Sequence, residues 1–225
     1  MKFTTLLSVL LLFIGFTSCK SEPLKEGKIV YAIDYPDQKD NFFLYSILPK
    51  EMELFFKDGR MHSSIKKANL INSLYVDCNK KQVAAYFNYG TEAYNVTLIE
   101  NEIKAMLAVQ KKYKISYLNE TDTIAGYDVK KALATSETDP RDKIELWYTE
   151  DISINNPNWY NPFHEVPGVL LAYSIDRYGI RMVFKAKSVE EMTVENALLE
   201  PSKNGKSISY IDYDSKLADL FKTFE

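Results

Sequence analysis

Apolar and polar positions alternate along most of this chain. Ile29, Tyr31, Ile33 and Tyr35 alternate with Lys28, Val30, Ala32 and Asp34 until Pro36, the two-residue period of a strand with one buried face. Met52, Leu54 and Phe56 repeat the pattern up to Asp58-Gly59, a dipeptide that accepts the positive φ of a tight hairpin turn. Residues 74–78 and 83–87 flank the polar turn Asn79-Lys80-Lys81, and Tyr94, Val96 and Leu98 continue the alternation, which predicts an antiparallel meander. Further strands are expected at 113–118, 127–135, 144–149, 169–175 and 181–186.

The period changes twice. Ile99, Ile103, Met106 and Leu107 recur as one face of a helix does, and so do Leu217, Leu220, Phe221 and Phe224, with Asp214 or Ser215 placed to cap that second helix. Ser188-Val189-Glu190-Glu191 fits a helix capping box while Met192-Thr193-Val194 fits a strand, so that stretch stays open. Composition agrees with a strand-rich domain. The chain is 46% hydrophobic, enough for a core, and its 16 Tyr and 12 Phe favour strands over helices.

The first 18 residues do not belong to this pattern. Lys2 precedes an apolar run from Leu6 to Phe16 that is too short to span a bilayer, which takes about 20 residues. A charged start, a short apolar run and small residues before Cys19 resemble a bacterial lipoprotein signal. That resemblance implies cleavage before Cys19, lipid on Cys19, and attachment to a membrane of the cell envelope. Lys20 rather than Asp follows the lipidated position, so the expected fate is the outer membrane, on its periplasmic or surface face. Residues 19–27 then form the lipidated cysteine with its tether, and residues 28–225 form one β-rich domain. With Cys19 lipidated, Cys78 has no disulfide partner, and its place on the face of Leu74 and Val76 makes it a buried small hydrophobe.

Several chemistries lack their residues. The net charge is −3 and the basic residues come as scattered pairs such as Lys66-Lys67, Lys80-Lys81 and Lys130-Lys131, so no nucleic-acid partner is expected. There are two histidines. His164-Glu165 is followed by Pro167-Gly168 and no second His, which leaves no zinc-protease face and no expected metal. His62 lies beside Ser63 and Ser64 without a nucleophile elbow, and no glycine-rich phosphate loop exists, so no cofactor is expected. Paired carboxylates among the 31 acidic residues leave a hydrolase acting on glycan or peptide as an alternative.

The segment with most character is 155–168, which holds three prolines and four asparagines together with Trp159, Tyr160 and Phe163. It is a stiffened loop whose aromatics either plug the end of a core or line a ligand pocket. Trp147, Trp159, Tyr160, Phe163, His164, Pro167 and Gly168 are the candidate ligand-binding or lid residues, and no catalytic residue is assigned.

Thr123-Ile124-Ala125-Gly126-Tyr127-Asp128-Val129-Lys130-Lys131-Ala132, then Leu146-Trp147-Tyr148-Thr149, then Val166-Pro167-Gly168-Val169-Leu170-Leu171 resemble, in that order, GLPGLI-type and related Bacteroidota lipoproteins. Val129 stands where those proteins often have Cys, and Val166 and Val169 replace Leu. That family looks related to the LolA and LolB lipoprotein carriers. The resemblance implies a mainly β (α+β) fold: an antiparallel incomplete β-barrel or strongly curved sheet, with two or more amphipathic helices packed as a lid over an apolar cavity. The expected function is a lipid-anchored envelope protein that binds an apolar ligand, a lipid or acyl chain, without catalysis. The alternative partner is a protein, with the domain as an accessory subunit of an envelope complex.

Overall fold

The computed structural model describes residues 22–222, so Cys19 and the expected signal lie outside the described residues. Among the described residues twelve strands form one open sheet. In chain order they are β1 (Glu26–Asp34), β2 (Glu51–Lys57), β3 (Arg60–Lys67), β4 (Leu70–Asp77), β5 (Gln82–Tyr89), β6 (Glu92–Ile99), β7 (Tyr113–Ile124), β8 (Tyr127–Ser136), β9 (Lys143–Thr149), β10 (Val169–Arg177), β11 (Ile180–Glu191) and the two-residue β12 (Lys206–Ser207). Three helices accompany them: α1 (Phe42–Ile47), α2 (Glu100–Val109) and α3 (Tyr210–Lys222).

The spatial order is β12-β6-β5-β4-β3-β2-β1-β11-β10-β9-β8-β7. Every pairing is antiparallel except β12 with β6 and one isolated parallel bridge between Leu24 and Ile152. Two contacts show the sheet curling on itself. Tyr31 on β1 reaches past β11 to donate its hydroxyl to the Leu170 carbonyl of β10 at 2.8 Å, where a bulge interrupts the β9–β10 ladder. Lys81, in the β4–β5 turn, lies 4.9 Å from the Trp159 ring, which belongs to the loop after β9. In a flat sheet those strands would stand about 30 Å apart. The fold is therefore the expected curved antiparallel sheet with helices, and it is not closed into a barrel.

The inner face carries the main core. Ile29, Tyr31 and Ile33 are each under 5% exposed, with Phe56, Val76, Val96, Val129, Leu171 and Phe184 in the same cluster. The curl creates two ends. The lower end has the β2–β3, β4–β5 and β7–β8 turns, the start of β1 and the loop over residues 151–168. The upper end has the β10–β11 turn, residues 35–50 with α1, and the start of β4. α2 connects β6, which lies beside the short edge strand β12, to the opposite edge strand β7, and its Ile103 is buried.

Several local expectations shift. Asp58 and Gly59 both take positive φ, 49° and 72°, as the tight hairpin requires. Ile99 is no part of the helical face; it is the last residue of β6 and more than half exposed, and its N–H is held by the Glu102 carboxylate at 2.9 Å. The cap of α3 is Ser209, whose Oγ accepts the Asp212 N–H at 3.1 Å, and not Asp214 or Ser215. Residues 188–191 continue β11, so neither reading of residues 188–194 holds throughout, because Met192 to Val194 leave the sheet. β1 begins at Glu26 and Leu24 is already bridged to Ile152, so the fold starts inside the stretch expected to be tether.

Candidate functional site

Two regions compete for function, one at each end of the curled sheet. At the lower end, residues 151–168 leave β9 and fold back. Ile152, Ile154 and Trp159 enter the main core, with half-buried Tyr160 packed against it and its ring 6.1 Å from Trp159. Burial pushes the Tyr160 phenol up to about 12. Trp159 sits near Cys78, whose thiol burial raises to about 11; the indole N–H favours the thiolate slightly but does not reach bonding geometry. Cys78 is free and buried, and burial disfavours its thiolate.

The same loop then crosses to the outer face. Phe163 and Val166 bury against Ile115, Ala132, Ala134, Ile144, Leu146, Tyr148 and Leu170, forming a second core on the outside of β7 to β10. Asn158 pins this excursion, because its buried amide nitrogen donates to the Val166 and Gly168 carbonyls, each at 2.9 Å. Gly168 is required by space, since a Cβ there would lie 2.2 Å from the Thr149 carbonyl oxygen.

The candidate residues chosen from the sequence do not converge. Trp159 and Tyr160 plug the lower end, and Phe163 covers the outer face. Trp147 is half-buried on β9 with Lys131 Nζ 5.3 Å from its ring. His164 and Pro167 are exposed, and Gly168 is a packing position. Of the loop's aromatics, Trp159 is buried in the main core and Phe163 in the second one.

At the upper end a groove of about 270 Å³ is lined by Gln38, Asn41, Leu44, Tyr178, Gly179, Ile180 and Phe221. Three elements make it. Asn41 caps α1 by accepting the Leu44 N–H at 3.1 Å, which turns Leu44 inward; the β10–β11 turn supplies Tyr178 and Gly179; α3 supplies Phe221. Tyr178 stacks on Phe221 at 5.2 Å, and α3 is tied there by Asp214, which accepts from Arg177 at 2.6 Å and from the Tyr178 hydroxyl at 2.7 Å. Beside the groove Phe42 and Phe43 are 83% and 71% exposed. The lining consists of amides, a phenol and apolar walls, groups that bind and orient, without a nucleophile and base in contact. Among the described residues no three His, Cys, Asp or Glu cluster as metal ligands.

Sequence reasoning missed this groove. Its only signal was Phe42-Phe43-Leu44 between Pro36 and Pro49, and a six-residue helix is too short for periodicity to show.

A curled, open, antiparallel sheet with a packed lower end and a helix-walled groove above is a barrel-like architecture. Residues 47–160 match the profile of the domain of unknown function DUF4412, half of the chain, and the protein belongs to that family. A search of curated proteins finds no match. Among solved structures, two crystal forms of PNGF-II superpose with TM-scores of 0.55 and 0.54, both at 17% identity. They cover 88% and 85% of this chain, whereas this chain spans only about a third of theirs (33% and 32%). The likeness is one of fold. A beta-barrel-like protein of DUF1849 from Brucella abortus aligns over 77% of this chain and 100% of its own, at 8% identity and a TM-score of 0.32.

Proposed function

We propose that this protein is a lipid-anchored cell-envelope binding protein that holds an apolar ligand, such as an acyl chain, in the upper groove without acting on it chemically. The observation that carries the reading is the groove itself: Leu44, Ile180, Phe221 and Tyr178 form its walls, Gln38 and Asn41 add polar groups at its rim, and Phe42 and Phe43 are exposed beside it. Its volume falls just below the ~300–1,000 Å³ of ordinary small-ligand sites, so it takes the end of a chain rather than a whole lipid. The space expected to be a cavity between sheet and helices is occupied by Tyr31, Tyr173, Phe184 and Trp159. This reading therefore puts the ligand at the upper end and not in the interior. Lipid on Cys19, outer-membrane location and kinship with GLPGLI-type proteins and the LolA and LolB carriers belong to this same proposal.

The test is to purify residues 20–225 from the native envelope, extract them and identify co-purifying molecules by mass spectrometry. Ile180→Trp fills the groove and should abolish recovery of the ligand. An empty extract, or an apolar molecule retained unchanged by Ile180→Trp, overturns the reading. Mass spectrometry of the mature amino terminus tests lipid on Cys19 directly.

A second reading, an accessory subunit with a protein partner, is favoured by Phe42 and Phe43. Both are exposed on one short helix, at the end of the domain opposite the start of β1. Crosslinking in cells should recover one stoichiometric partner that Phe42→Ser with Phe43→Ser removes. The loop aromatics are no such surface, because Trp159 and Phe163 are buried.

A further inference from the structure

After β11 the chain runs as a strap, residues 192–209, over the outer face of the β1–β6 half of the sheet. Polar contacts hold it along its length. The Val194 carbonyl accepts from Lys57 Nζ at 3.2 Å, and its N–H donates to Glu26 at 3.3 Å. Arg60 donates to Asn196 at 2.7 Å and to Glu200 at 3.2 Å. Asn95 donates to the Asn204 and Gly205 carbonyls, and β12 then pairs with β6. The strap leads directly into α3.

Beneath its single 3-10 turn, Asn196–Leu199, lies His62. The register places Phe55, His62 and Tyr75 side by side on the outer face, and the His62 ring stacks on Tyr75 at 4.1 Å with Phe55 at 6.3 Å. His62 is 9% exposed and neither ring nitrogen has a hydrogen-bond partner. A neutral imidazole tolerates this slot between two aromatic rings; an imidazolium has two donors, and no acceptor here reaches bonding geometry with either.

We propose that His62 makes the strap a proton-sensitive closure: a proton on His62 is accommodated only when residues 192–209 lift from the outer face and admit water. The surrounding charges do not provide an alternative. On β2, Lys57 is paired with Glu26 at 2.7 Å, and Glu53 stands opposite Ser64, one diagonal step from His62. On β3, Arg60 is taken by the strap's Glu200, and Lys66 disfavours a second positive charge. On β4, Asp77 is engaged by the Asn79 and Lys80 N–H groups; on β5, the facing Gln82 and Ala84 carry no charge. From the strap, Glu195 makes no hydrogen bond to the ring, and the Leu198 carbonyl favours the proton without reaching bonding geometry.

Burial accordingly lowers the His62 pKa to about 4 with the strap in place, against 6.5 for a free imidazole. The strapped state binds fewer protons between those values, so lowering the pH from 6.5 toward 4 favours the open state. Glu26, held below the ordinary carboxyl range chiefly by its hydrogen bond from Lys57, stays ionised at pH 5 and does not confuse this window. Because α3 follows the strap and supplies Phe221 to the upper groove, acid would also loosen ligand there. That consequence alone rests on the function proposed above.

The experiment is hydrogen exchange on the full chain, followed by mass spectrometry and corrected for intrinsic exchange rates, with no ligand present. Amides in residues 192–209 should open on the order of tenfold more at pH 5 than at pH 7.5, while those of β1 and β11 stay protected. His62→Phe keeps an aromatic ring in the stack and should remove the pH response; His164→Gln should leave it intact. A strap equally protected at both pH values, or an unchanged response in His62→Phe, overturns the proposal. If His62→Phe fails to fold, the wild-type histidine NMR titration decides. Its His62 midpoint must coincide with strap opening, and a midpoint reached while the strap stays protected overturns it. Failure of the ligand search would leave these outcomes untouched.

Discussion

Two irregular segments leave the sheet and cover part of its outside, and they are held by opposite physics. The 151–168 loop is an apolar cover. Phe163 and Val166 bury against β7 to β10, and the polar groups that accompany them are mated internally by Asn158. The 192–209 strap buries Val194 and Leu199 but is fastened mostly by side chains of Lys57, Arg60, Asn95 and Glu26, over a histidine without partners. Apolar covers carry no charge to titrate and are costly to breach. Polar fasteners are individually weak and respond to charge. One segment is thus suited to permanent closure, the other to conditional closure.

The comparison breaks first at Phe163. Phe163→Ala should cost about 3–5 kcal/mol in equilibrium denaturation, because a ring 3% exposed leaves a cavity in the second core. Asn158→Ala should cost about 2 kcal/mol by the same measurement, since the Val166 and Gly168 carbonyls lose their donor while remaining buried. A loss below 0.5 kcal/mol, on the scale of an ordinary surface substitution, would show that the loop is not a structural plug. On the strap the effect depends on pH. His62 has a folded pKa below its unfolded value, so its neutral burial contributes stability above pH 6.5 and loses it as pH falls toward 4. Denaturation at pH 7.5 and 5 should differ by about 1–2 kcal/mol more in the wild type than in His62→Phe. The smallest effect is expected for Arg60→Ala, which removes the ion pair with an exposed Glu200 and the hydrogen bond to Asn196, and should cost about 1 kcal/mol. A larger loss would mean that polar fasteners carry the strap more than burial does.

The two segments also differ in how far they could be seen in advance. Prolines, asparagines and large aromatics marked residues 155–168 as a stiff loop that must bury something. Which side of the sheet it would bury was not visible, because an aromatic residue in a loop carries no period to orient it. The strap gave no such signal. Its residues are mostly polar and exposed, and its role arises from Arg60, Asn95 and Glu26, more than 90 positions away in the chain. The upper groove was hidden for the same reason, since Leu44, Tyr178 and Phe221 come together only when α1, the β10–β11 turn and α3 meet.

What this sequence determined by itself is the strand and its buried face. Ile29, Tyr31 and Ile33 face inward because a pleated chain sends alternate side chains to opposite sides, a rule that acts within a few residues. Asp58-Gly59 likewise set its hairpin through backbone angles alone. Tertiary structure decided everything that depends on closure. The curl of the sheet brought Trp159 to Lys81 and Tyr31 to the Leu170 carbonyl, and it packed Tyr31, Phe184 and Trp159 together in the interior. Those contacts join residues tens to more than a hundred positions apart. Local patterning records which face of a strand is apolar, but whether that face meets a ligand, a helix or another part of the chain is settled only by packing.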